Sequence, residues 1–259
     1  KTVDGRTPRE QISECYELVR EQEAAQHAVY TQLRTELSEH GIEILNYSAL
    51  SRDDIDYLRG LYHDNIFPLI TPQSIDPAHP FPFISNHALN LLVEVGFPGQ
   101  VGRRSLARVK IPTSEHMPRF IKLPDRNQFV ALEEGVRNNL DMLMPEMEVI
   151  SVHMFRVTRN ANTERNEEHA DDLLSMIESE LRDRRFAPIV RLQVQGDMDE
   201  TSRGMLAAEL GLDEKEDVFN AGGDMLAMRD LFQLVGIDIP ELHDQPFQPL
   251  DNPSLVEGI

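Results

Sequence analysis

The sequence predicts an α+β fold in which mixed sheets with flanking helices follow a long N-terminal helix. Three observations carry this expectation. Apolar residues recur at helical spacing from Ile12 to Leu37. The stretches LNLLVEV and IVRLQV alternate with the period of two that marks a half-buried strand. Further helical and strand patterns then follow one another without the regular alternation of a parallel βαβ fold.

The elements are justified in chain order. Thr7 and Pro8 form an N-cap and first-turn pair, and Ile12, Cys15, Tyr16, Val19, Val29, Leu33 and Leu37 continue a helix that Gly41 stops. Its middle is polar (Gln22, Glu23, Gln26), so it is expected to pack along one seam. GIEILN reads as a short strand, and SRDDIDYLRGLYHDNI as a second amphipathic helix capped by Ser51.

Residues 66–86, IFPLITPQSIDPAHPFPFISN, hold five prolines and no Lys or Arg. Proline fixes φ and withholds a backbone donor, which excludes a helix or a central strand and leaves an ordered strap. Phe67, Phe81, Phe83 and Ile84 could each contribute on the order of 2 kcal/mol by burial, so the strap is expected to press onto a core.

In LNLLVEV one face carries Leu89, Leu91, Val93 and Val95, and in IVRLQV one face carries Val190, Leu192 and Val194. SLARVKI, RFIKL and VISVHMFRVT are further strands. Helical patterns lie at 132–143, 167–185, 199–210 with Gly211 as stop, and 226–235. From Pro240 the chain is proline-rich and reads as a linker.

Composition bounds the function. The 259 residues include 45 Asp and Glu against 25 Lys and Arg, a formal net charge of −20. Such a surface repels nucleic acid, polyphosphate and anionic lipid unless its basic residues cluster. Cys15 is the only cysteine, so no intrachain disulfide or cysteine-based zinc site can form, and a cytoplasmic location is expected. No apolar run approaches the roughly 20 residues of a membrane span. The chain begins at Lys1 and enters a helical pattern at once, as expected of a piece of a longer protein.

No residue pattern identifies an active site. None of the four lysines follows a glycine, which argues against a phosphate-binding glycine-rich loop. His169, Asp171 and Asp172 could serve metal or hydrolytic chemistry, but acidic residues in a first helical turn more simply offset the helix dipole. His79 sits in a rigid turn without an obvious Asp or Ser partner, and is expected to bond to backbone rather than act as a base. His63 and His153 read as structural or surface residues. The basic clusters 103–110 and 182–191 could bind phosphate, although in so acidic a chain ion pairs to Asp and Glu are the commoner use. On these residues alone, a hydrolase using His79 or His169, Asp171 and Asp172 stands beside an acidic interaction module.

The strap points to a third reading by resemblance. FPLITPQSIDPAHPFPFISNHALNLLVEV is similar to a signature of the long, ATP-dependent bacterial polyphosphate kinases. In the same register follow RVKIP, MPRFIKLP, FVALEEGVRNNLDMLMPEMEV, MFRVTRNAN, DDLLSMIESELRDRRFAPIVRLQV and QPFQPL. Asn160 and Asn162 depart from the acidic residues expected after FRVTR. The resemblance implies that residues 1–40 are the last helix of a helical N-terminal domain, 41–250 a head domain, and 251–259 the start of a linker to C-terminal catalytic domains.

It further implies that the intact enzyme uses ATP and Mg²⁺ and transfers the terminal phosphate reversibly to polyphosphate through a phosphohistidine outside this segment. No catalytic, cofactor-binding or metal-binding residue is carried over to these positions. Expected partners are the chain's own catalytic domains and a second copy in a homo-oligomer, with polyphosphate bound by the intact enzyme and no nucleic acid or membrane span. The location implied is cytoplasmic, with a peripheral position at the inner membrane left open.

Overall fold

The computed structural model describes residues 5–76, 78–100, 102–114, 116–160, 186–223 and 225–245. Helix α1 (Pro8–Glu39) opens with a reciprocal capping box between Thr7 and Glu10, which satisfies two N-terminal donors at once. It ends before Gly41, whose φ of +73° suits glycine. Helix α2 (Arg52–Leu61) repeats the device with Ser51 and Asp54, then widens into a π turn at Tyr62–Ile66.

Two sheets follow. The smaller has the order β1 (Glu43–Leu45), β6 (Gln128–Ala131), β5 (Phe120–Lys122). The larger runs β2 (Gln73–Ile75), β4 (Arg104–Lys110), β3 (Asn90–Gly96), β7 (Glu148–Arg159), β8 (Ile189–Val194), β9 (Val218–Asn220). Pairing is antiparallel except between β1 and β6 and between β8 and β9, which makes both sheets mixed as expected.

The larger sheet is covered on both faces. One face, with Leu91, Val93, Val95, Val109 and Met154, packs on Leu58 of α2, on Tyr62 and Ile66, and on Val130 and Leu132. The other face, with Leu92, Phe155, Val157, Leu192 and Val194, packs on Ile84 and on Leu206 and Ala207 of α5 (Glu200–Glu209). A third cluster joins Ile42, Phe120 and Phe129 of the smaller sheet to Tyr30 and Leu37 of α1 and to Leu231 and Leu234. Short helices α3 (Leu132–Arg137) and α4 (Leu140–Leu143) divide the helical pattern expected at 132–143.

Several expectations are corrected. Strand β3 is buried on both faces, because α5 and the strap cover the side that alternation alone left to solvent. Val190 is 37% exposed beside the β7–β8 bulge between Thr158 and Arg159, so the buried face of β8 reduces to Leu192 and Val194. The strap contains an edge strand, β2, consistent with proline at a sheet margin. It is anchored by Ile84, 1% exposed, with Phe81 half-buried, whereas Phe67 and Phe83 are each 37% exposed. Residues 228–236 form a 3₁₀ helix rather than an α-helix. No residue of α1 is buried, so its attachment is lateral rather than central. The helix expected at 167–185 lies outside the described residues.

Candidate functional site

A polar cleft lies between α1 and the sheets. Tyr16 donates to the Val190 carbonyl at 2.5 Å and meets the Phe219 ring edge-on at 5.1 Å. Arg20 lies 4.5 Å over the same ring and donates to the Glu216 carbonyl at 2.6 Å. At the other end, Tyr30 and Leu37 join the third core. Between these attachments α1 bridges a cleft of about 640 Å³, lined among others by His27, Tyr30, Arg34, Glu133, Glu134 and Arg137. A side cleft of about 190 Å³ shares His27 and Met225 with it.

The charges of the larger cleft are mostly paired. Arg119, behind its wall, meets Glu133 in a buried ion pair whose Nε–Oε1 distance is 3.0 Å, and donates to the carbonyls of Leu226 at 2.6 Å and Ala227 at 3.1 Å and to Asp230 at 3.2 Å. Burial opposes its charge, yet Glu133 and Asp230 outweigh burial and hold Arg119 more firmly protonated than a free guanidinium. Arg137 donates to Gln195 Oε1 at 2.7 Å, which also accepts from the Met154 N–H at 3.0 Å. The arrangement suits binding: its acids and bases are committed to one another rather than set around a reacting atom.

The candidates named by sequence lie elsewhere. His79 is exposed, and its Nδ1 approaches Asp76 at 2.9 Å while the Ala78 N–H donates to the same carboxylate. The expectation that nothing orients His79 is therefore corrected: an Asp three residues earlier folds back on the turn. The pair lines none of these clefts. His63 contacts Asp64 at 2.8 Å and stacks on Phe67, and His153 sits in β7 near Asp197 at 3.4 Å.

His169, Asp171, Asp172 and Asn162 lie outside the described residues, among which no group of three or more His, Cys, Asp or Glu could hold a metal ion. In the first basic cluster Arg104 pairs with Glu94 at 3.0 Å, but Arg103 and buried Arg108 bond to amide side chains, Gln100 at 2.8 Å and Asn90 at 2.7 Å. Of the second, residues 182–185 are outside the described set, and Arg191 approaches Glu23 at 3.4 Å. Sequence reasoning missed His27, Arg119, Glu133, Arg137 and Arg156. The available signal was a cation on the same strand face as a buried apolar residue, as at Arg156 two residues after Met154.

Comparison with known proteins gives the same family throughout. Residues 53–234 match the family model described as polyphosphate kinase middle domain. A polyphosphate kinase of Synechocystis sp. is 39% identical over 98% of this chain and 36% of its own length. One from Mycolicibacterium gilvum is 37% identical over 96% and 34%. The crystal structure of polyphosphate kinase from Porphyromonas gingivalis superposes over 95% of this chain and 36% of that one with a TM-score of 0.75 at 24% identity, a likeness of fold. The chain thus spans about a third of the length of these relatives, and it belongs to the polyphosphate kinase family through that family's middle domain.

Proposed function

We propose that this chain is the head domain of a long, ATP-dependent polyphosphate kinase, with residues 1–40 as the last helix of an N-terminal domain and 251–259 leading toward catalytic domains. Its work is to hold those domains and to pair subunits. In the intact enzyme the terminal phosphoryl group of ATP passes to a histidine of the catalytic domains, with ADP leaving, and then to the end of a polyphosphate chain. Mg²⁺ offsets the phosphate charge. The head contributes rigid placement, not a reacting group.

The observation that carries this reading is the middle-domain match over 53–234, which takes in α2, the strap and the larger sheet. The test is a hybrid in which this chain replaces the matching segment of the Synechocystis enzyme. A hybrid that self-associates and makes polyphosphate from ATP is the expected result. A folded hybrid that binds ATP but neither self-associates nor makes polymer would refute the proposal.

A further inference from the structure

The face of β7 and β8 turned toward α1 carries more cation than its neighbours neutralise. Arg156 lies opposite Gln193 across the two strands, and Thr158 opposite Arg191. Residues two apart on a strand share a face, so these four side chains form one patch. Glu23 of α1 meets the patch, accepting from Gln193 at 2.7 Å and lying 3.4 Å from Arg191. Arg229 lines the same side cleft of about 190 Å³, as do His27 and Glu23.

Arg156 is the anomaly. It is half-buried, and among the described residues it has neither a hydrogen-bond nor an ion-pair partner; its Nε is enclosed and unsatisfied. Thr158 Oγ1 is likewise enclosed without a partner. Exposed Arg229 is also unpaired among the described residues. A desolvated cation costs several kcal/mol unless something offsets it, and a buried polar atom without a partner calls for an explanation.

Three guanidinium groups line this cleft against the single carboxylate of Glu23, leaving two positive charges in excess. Nearby Asp230 lies 3.2 Å from Arg119, which Glu133 already neutralises, and it also favours the charge of Arg156, so with Arg119, Glu133 and Asp230 counted the excess is one positive charge. The excess is felt outside the cleft. Burial first, and then Arg156, Arg191 and Arg229 together, disfavour the charged form of His87.

We propose that this cleft binds a compact inorganic anion of the phosphate class, held by the guanidinium groups of Arg156, Arg191 and Arg229. Planar guanidinium forks match the oxygens of such an anion, and the positive excess suits its negative charge. About 190 Å³ is below the roughly 300–1,000 Å³ of sites for larger organic ligands, so the arginine-lined space by itself suits a compact anion. A long polyanion is disfavoured by the net charge of −20 of the whole chain. The site is independent of the scaffold role proposed above.

Titration calorimetry of the 259-residue chain with pyrophosphate, inorganic phosphate, ATP and citrate tests the site. Pyrophosphate is expected to bind, less tightly at higher salt, and to weaken roughly tenfold or more in both Arg156→Gln and Arg229→Gln. Without anion, Arg156→Gln should unfold at the same denaturant concentration as the parent or a higher one, because it removes an unpaired charge. Should Arg156→Gln fail to fold, the exposed Arg229→Gln decides.

No binding of pyrophosphate at about 1 mM, or equal binding by the parent and by Arg229→Gln, would overturn the proposal. ATP binding more tightly than pyrophosphate would overturn the size argument. Citrate binding as well as pyrophosphate would overturn the phosphate class.

Discussion

Arg119 shows how charge is built into the interior. Its side chain is 2% exposed and is satisfied by Glu133, two carbonyls and Asp230, so the group is costly to bury but costlier to strand. Glu133→Gln should lower stability by about 3 to 5 kcal/mol, read as a shift of the urea midpoint, since it leaves a buried cation short of its main counter-charge. A shift within error would mean that Asp230 alone suffices. Pairings of this kind were illegible in the sequence. Glu133 stands in a run of acidic and apolar residues that reads as an ordinary helix start, and its partner lies 14 residues away in the bend before β5. The Asp76–His79 pair was within reach of sequence reasoning, since a turn Asp commonly folds back on the residues after it.

At the scale of elements, the caps and the strap behave differently. Thr7 and Ser51 were visible as N-caps because capping depends on local chemistry, and both form reciprocal boxes in the structure. In the second, bonds from Ser51 and then Arg126 hold the Asp54 carboxyl below its usual range. A carboxyl depressed in the folded state stabilises above the unfolded pKa, about 3.9, and that contribution disappears as pH falls through the folded value. The urea midpoint should therefore drop on acidification below about pH 4, and Asp54→Asn should flatten the drop. Equally steep profiles for parent and variant would assign the acid loss to other carboxylates.

The strap was legible as ordered but not in which side chains it buries, because proline fixes backbone direction and not packing. Ile84 enters the second core, while Phe83 lies under Arg159 at 4.6 Å and beside Phe186 at 5.3 Å. Ile84→Ala should cost about 2 to 5 kcal/mol. Phe83→Ala should cost about 1 to 2 kcal/mol, the scale of an exposed ring pair and cation contact. The reverse order in denaturant melts would place the strap's anchor at Phe83. Burial of β3 on both faces escaped alternation for a related reason: a strand's second face is covered by elements distant in sequence.

For the whole molecule, the account joins a mixed-sheet body to a laterally attached α1 that leaves Ile12, Leu18, Val29 and Leu33 exposed. This apolar surface and the proposed pairing of head domains both predict self-association. Two chains of net charge −20 repel, so the association should be tighter at physiological salt, where the Debye length is about 8 Å, than at about 0.01 M, where it is about 30 Å. Sedimentation equilibrium at the two salts checks this, and a strict monomer at both would move the subunit contacts to other domains. The most direct test of the central claim, that this chain supplies placement rather than chemistry, is incubation with terminally labelled ATP, Mg²⁺ and short polyphosphate. The account predicts no labelled protein and no polymer growth, whereas acid-labile phosphohistidine on the chain, abolished by His79→Ala, would contradict it.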